Sequence, residues 1–208
     1  MQRVTVISVG MTYRFFAALL ILVSGTANAA KVDITVRGPD GKPVADAVVT
    51  VDTPRAPGGP IRFPYPYEMA QQDILFAPHT LIVPLGASVS FPNRDRVRHH
   101  VYSASSAKRF DLKLYGRDET RSLVFDQPGA VSLGCNIHDA MSAVIYVTTS
   151  PYTMKTDANG HVAFPNVPAG AATVRVWHPS IRVRGNTASQ SVSISDTGYA
   201  TVLTLRGR

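Results

Sequence analysis

The segment Gly134-Cys135-Asn136-Ile137-His138-Asp139-Ala140-Met141 places a thiol, an imidazole and a thioether at three-residue spacing. Upstream, in PNRDRVRHHVYS, stand two more imidazoles, His99 and His100. Two imidazoles and one thiolate, with a weak axial thioether, make the donor set of a type 1 (blue) copper site. Soft sulfur favours Cu(I), and imidazole suits both oxidation states. Three donors on one tight loop and a fourth from a distant strand would hold such a site rigid, so little has to move when an electron does. Singly, each residue has a plainer role: Cys135 a small buried hydrophobe, His138 a surface residue, Met141 part of a core. Only the combination points to a metal.

Other chemistries fit this set less well. Structural zinc takes four N, S or O ligands, usually with more than one cysteine. Haem attachment needs Cys-x-x-Cys-His, which the chain lacks. A Cys-His nucleophile pair wants a third, orienting residue, and nothing in the sequence places one. No His-x-His pair occurs, which argues against a multi-copper oxidase centre. His79, His161 and His178 lie in other turns or strands.

Cys135 is the single cysteine of the 208-residue chain. Its compartment matters, because a lone thiol outside the cytoplasm is oxidised unless buried or bound. The N-terminus has the form of a secretory signal: Arg14, the apolar run Phe15 to Val23, then Ala27-Asn28-Ala29 as a small-x-small cleavage site. Residues 1–29 are therefore expected to be removed, with translation starting at Met1 or Met11. The competing reading is a membrane anchor, but nine apolar residues are too few to span about 30 Å of hydrocarbon. The expected location is periplasmic or otherwise extracytoplasmic, with no stable membrane span. Loss of residues 1–29 takes Arg3 and Arg14 and no acid, so the net charge falls from +7 to +5. The basic residues are scattered apart from Arg94, Arg96 and Arg98. That is not the aromatic-studded basic stripe of a nucleic-acid binder; it fits a solvated surface or a docking face for an acidic partner.

The elements that must position the donors read as strands. Gly and Pro are plentiful, charge is sparse, and no helical period is evident after residue 30. Residues 31–53 read as a hairpin, with PDGKP as its turn. The linker PRAPGGP follows. Strands are then predicted at 80–83, 87–91, 99–103, 110–114, 122–125, 130–135 and 143–148. After a break at Ser150-Pro151 come 160–166, 172–177, 190–195 and 200–205. Cys135 thus ends one strand, and the next begins just beyond Met141.

Two resemblances follow from these stretches. FAPHTLIVPLGASVSFPNRDRVRHHV and PGAVSLGCNIHDAMSAVIYV resemble the entry and closing strands of cupredoxins, with the short amicyanin-type ligand loop. Proteins of the methylamine utilization or plastocyanin-like type share this layout. The resemblance implies His99, Cys135, His138 and Met141 as ligands to one copper, Asn93 as a brace for the Cys135 loop, and His138 as the exposed edge for electrons. GPDGKPVADAVVTVDT and, roughly a hundred residues later, TDANGHVAFPNVPAGAATVRVWHP resemble the carboxypeptidase regulatory-like, transthyretin-like sandwich. The expected architecture is all-β: a Greek-key cupredoxin domain (65–149) inserted into a discontinuous sandwich (31–53 plus 151–208). Insertions are tolerated at exposed loops. Two separate β units in series are the alternative.

Strand alternation lets only one of His99 and His100 face inward. If His99 does, Val101 accompanies it; if His100 does, Tyr102 is buried and Val101 exposed. Val is the better neighbour for a buried site, and the resemblance also gives His99. Departures from the family pattern are His100 where Asn is usual, Gly134 where an aromatic is common, and Asp139 where amicyanin-like loops have Pro. The function expected is one-electron transfer between protein redox partners by a monomer that turns over no substrate. Copper storage or delivery, and a structural sandwich with a degenerate site, are the alternatives.

Overall fold

The computed structural model describes residues 29–205. The expected signal segment lies outside these residues except for Ala29, which opens the first strand. The described residues are all-β, with one short 3-10 turn at Arg184–Asn186. Its strands are β1 (Ala29–Arg37), β2 (Val48–Asp52), β3 (Ala70–Gln72), β4 (Leu75–Ala77), β5 (Thr80–Pro84), β6 (Ala87–Pro92), β7 (His99–Ser105) and β8 (Lys108–Tyr115). They continue as β9 (Thr120–Phe125), β10 (Gly129–Cys135), β11 (Ser142–Thr148), β12 (Thr153–Lys155), β13 (His161–Pro168), β14 (Gly170–Trp177), β15 (Thr187–Ile194) and β16 (Tyr199–Thr204). Among the described residues no helix is long and apolar enough to cross a membrane.

His99, Cys135, His138 and Met141 belong to a sandwich. One layer runs β5-β11-β10-β7-β8; β6-β9 and the short β3-β4 hairpin lie outside that sheet. The chain crosses between layers from β5 to β6, β6 to β7, β8 to β9 and β9 to β10, which is the Greek-key pattern. Period-two burial explains the layers. β6 turns Ala87, Val89 and Phe91 inward, and β10 turns Val131, Leu133 and Cys135 inward. They meet Met69, Tyr115, Phe125, Met141 and Ile145 in one core.

β5 and β11 pair in parallel and are buried on both faces. The reason is a second sandwich against their outer side. Its sheets are β13-β1-β16 and β12-β2-β14-β15, closed over Ile34, Val49, Phe164 and Val174. Val144, Ile82 and Tyr146 pack there against Val48 and Trp177, with the Tyr146 and Trp177 rings 5.8 Å apart. Runs such as Thr80–Pro84 therefore read as continuously apolar where a one-sided strand would alternate.

The hairpin expected over 31–53 does not form. β1 and β2 lie in different sheets. The PDGKP turn is closed by Gly38 N–H to Lys42 O at 2.8 Å and Val44 N–H to Val36 O at 3.0 Å. The chain then arches over through Asp46 (φ 55°) into the facing layer. Turn chemistry was legible, but which strand takes up the freed edge is decided by packing: β1 pairs instead with β13 and β16.

Candidate metal centre

β7 turns His99, Val101 and Ser103 inward and leaves His100 and Tyr102 outward. β10 delivers Cys135 beside it, Cys135 pairing with Val101 and Gly134 with Tyr102. The loop after Cys135 is pinned at both ends. Asn136 N–H donates to His100 O at 3.0 Å, and Met141 N–H to His138 O at 2.9 Å. These ties bring His99, Cys135 and His138 together, with their donor atoms all within 4.8 Å of one another. The Cys135 Sγ lies 3.8 Å from His99 Nδ1 and 3.7 Å from His138 Nδ1. His99 and Cys135 are buried and His138 half-buried. Met141 is fully buried in the same apolar cluster as Cys135.

These spacings fit a metal better than a thiol hydrogen bond, which would draw one nitrogen close and leave the other. A thiolate and an imidazole nitrogen bound at about 2.3 and about 2.05 Å, at roughly 120°, stand about 3.8 Å apart. Both nitrogens match that separation from the sulfur. The donor set, two imidazoles and a thiolate beside a thioether, is the one copper takes in one-electron sites.

The orientation of His99 is fixed by a residue that sequence reasoning missed. His99 Nε2 stands 2.8 Å from Asp95 Oδ2. An ionised carboxylate can only accept, so Nε2 carries the proton and Nδ1 turns its lone pair to the cluster. Asp95 also accepts from Asp73 N–H at 2.7 Å and Ile74 N–H at 3.0 Å. Burial opposes its ionisation, but the hydrogen bonds from His99, Ile74 and Asp73 outweigh that and hold its carboxyl below the usual range. The only hint in sequence is an acid four residues before His99, among three arginines.

Asn93 is buried, but its side chain makes no hydrogen bond to the Cys135 loop. Nδ2 donates to Val97 O at 2.9 Å and to Tyr115 O at 3.2 Å, and Oδ1 accepts from Asp95 N–H at 2.9 Å. It shapes the 93–97 turn and, through it, aims Asp95 and His99. His100 instead pairs with the Asp111 carboxylate on the outer face. The side chain absent at Gly134 is replaced from across the sheet: a Cβ there would sit 3.0 Å from the Tyr102 ring. His161 is bonded to Asp33 and His178 to Ser180, apart from the cluster.

The sequence matches no protein-family model and no curated protein. Among solved structures, a copper-containing nitrite reductase from Thermus scotoductus is 26% identical over 46% of this chain and 25% of that one, with a TM-score of 0.38. The chain thus spans about a quarter of that enzyme's length. A purple cupredoxin from Nitrosopumilus maritimus is 19% identical, covering 39% of this chain and 98% of its own, at a TM-score of 0.36. An oxidised amicyanin variant is 21% identical, covering 40% and 82%, at 0.37. These likenesses each cover less than half of this chain, and a His-Cys-His group able to hold a metal sits within its β-sandwich.

Proposed function

We propose that this chain is an exported one-electron carrier holding one type 1 copper ion. The observation that carries the reading is the pair of Nδ1 atoms at 3.7 and 3.8 Å from the Cys135 sulfur. Cys135, as a thiolate, and the His99 and His138 imidazoles would hold the ion, with the Met141 thioether as a further, weaker donor. Copper held there would alternate between Cu(I) and Cu(II). Asp95 keeps the proton of His99 on Nε2, away from the donor atom. The apolar packing of Met141 and Cys135 excludes water. His138, the half-buried donor, is the edge through which electrons pass. Its partners are other redox proteins, and no substrate turnover is assigned.

Residues 65–149 form the cupredoxin domain in this reading, inserted into a transthyretin-like sandwich made of 31–53 and 151–208. Sheet membership supports it: strands from 29–52 pair only with strands from 153–204. The two junctions also meet, since Ser150 Oγ donates to Val51 O at 2.8 Å. An extracytoplasmic location agrees with a lone thiol that is buried among donors.

Titration of the purified protein with Cu(II) tests the function. One equivalent should give an intense blue colour, and Cys135→Ser should abolish it while the β-rich circular dichroism persists. A colourless wild-type protein after Cu(II) addition would overturn the reading in favour of a structural sandwich.

A further inference from the structure

A segment outside the His99-Cys135-His138 cluster carries features that electron transfer does not use. It is Arg62-Phe63-Pro64-Tyr65-Pro66-Tyr67-Glu68, between the PRAPGGP stretch and β3. The residue before a proline is held extended, so Phe63 and Tyr65, each followed by proline, project to one side. Their rings are nearly parallel, at 8°, with centroids 5.8 Å apart. Tyr67 meets Tyr65 edge-on at 6.3 Å. The segment is pinned in place. Tyr65 Oη donates to Ile82 O, Phe63 N–H to Tyr67 Oη and Ser90 N–H to Tyr67 O, each at 3.0 Å.

These rings form one wall of a cleft of about 810 Å³ where the two sandwiches meet. Pro78 and Leu81 line it from the cupredoxin-like side, and Pro151, Met154 and Pro165 from the other. The lining is mostly apolar, yet water reaches it: Tyr65 is 41% and Met154 44% exposed. A preformed cleft of this size, with apolar walls and few polar groups, is the usual form of a small-molecule site.

The polar groups decide what kind of molecule fits. Thr80 and Thr153 are the buried hydroxyls of the lining. Thr80 Oγ1 is already bonded to His79 Nδ1, and Thr153 Oγ1 to Ser150 O and Thr148 Oγ1. Glu68 is paired with Arg94, and Lys155 with Asp46. Arg62 is exposed at the margin and makes no ion pair among the described residues. Of the charges lining the cleft, the one left uncompensated is therefore positive.

We infer that this cleft binds an amphipathic monoanion, a molecule with an apolar body and one carboxylate. The body lies against Tyr65, Met154 and the prolines, where no free side-chain hydroxyl asks it for a hydrogen bond. The carboxylate meets the Arg62 guanidinium, whose parallel N–H groups match its two oxygens. Aromatic acids and fatty acids share this chemistry. The inference is independent of the metal, since no residue of the cleft belongs to the donor cluster.

Copper-free, isotope-labelled protein titrated with 1-anilinonaphthalene-8-sulfonate, an apolar monoanion, tests it. Amide shifts should centre on residues 62–68, 77–82 and 153–155 and saturate as one site. 2-Naphthoate or octanoate should reverse them, while the neutral 2-naphthalenemethanol and octanol at the same concentrations should not. Whichever carboxylate displaces better identifies an aromatic or a lipid source. Arg62→Gln should weaken binding about three- to tenfold, with the loss shrinking at about 0.5 M salt. Met154→Glu sets a like charge at an exposed position in the cleft and should abolish binding. Both variants should keep the parent's circular dichroism. Shifts centred elsewhere, alcohols that displace as well as the acids, or full affinity in either variant would overturn the inference. Failure of the protein to take up copper would sink the electron-carrier reading and leave this result as it stands.

Discussion

The Nε2 of His99 stands 2.8 Å from Oδ2 of Asp95, a carboxylate that also closes the strained 73–74 turn. One residue therefore orients the imidazole of His99 and fixes the loop beside it. Asp95→Asn keeps the size but removes the charge, and copper affinity should fall about 10- to 100-fold. Competition with a chelator of known affinity measures this. An affinity equal to wild type would mean that His99 is oriented by packing alone.

The same carboxylate should make stability depend on pH. Its folded pKa lies below the ordinary Asp value, so its contribution is full above about pH 4 and is lost as pH falls through the lower, folded value. Urea unfolding of copper-free protein should show wild type more stable than Asp95→Asn at pH 7, with the gap narrowing towards pH 3. A gap that does not change with pH would contradict the linkage.

His99 and His100 are neighbours with opposite fates, one buried at the cluster and the other paired outside with Asp111. His99→Gly should lose the blue site and regain part of it with added imidazole, which can enter the vacated space. His100→Asn should stay blue. The reverse pattern would move the ligand to His100.

Met141 is buried in the same core cluster as Cys135, so its packing and its proposed role as a donor can be separated. Met141→Leu nearly conserves volume and should cost less than about 1.5 kcal/mol of stability. Copper should still bind, with a changed reduction potential, because the axial bond is long and weak. Complete loss of copper from a folded variant would remove Met141 from the donor set.

The insertion can be tested by deletion. Ser150 hydrogen-bonds to Val51, so a short Gly/Ser linker from Thr53 to Ser150 should close without strain. The product should be a compact β protein that binds no copper. It would expose Val48 and Trp177, which normally meet Val144 and Tyr146, and should therefore self-associate more than the parent. An unfolded product by circular dichroism and limited proteolysis would show that the two flanking parts do not pair alone.

Much of this protein is determined locally and can be read along the chain. Period-two alternation places Val32, Ile34, Val89, Phe91, Val131 and Leu133 in cores, because a pleated strand sends successive side chains to opposite faces. The same rule distinguishes His99 from His100. The spacing of Cys135, His138 and Met141 puts three soft or borderline donors on one loop, and covalent geometry keeps them there. What the sequence could not determine depends on which segments meet. β1 pairs with β13 and β16 and not with β2, because free strand edges are satisfied by whichever partner the packed layers supply. Asn93 braces the 93–97 turn and not the Cys135 loop. Tyr102 fills the space above Gly134 from the neighbouring strand. Asp95, unremarkable among its arginines, becomes the partner of His99 only when the β3-β4 tip closes over it. Hydrogen bonds between residues far apart in sequence exist only once the layers are stacked, so it is the tertiary structure that turns a set of suitable side chains into a centre of fixed geometry.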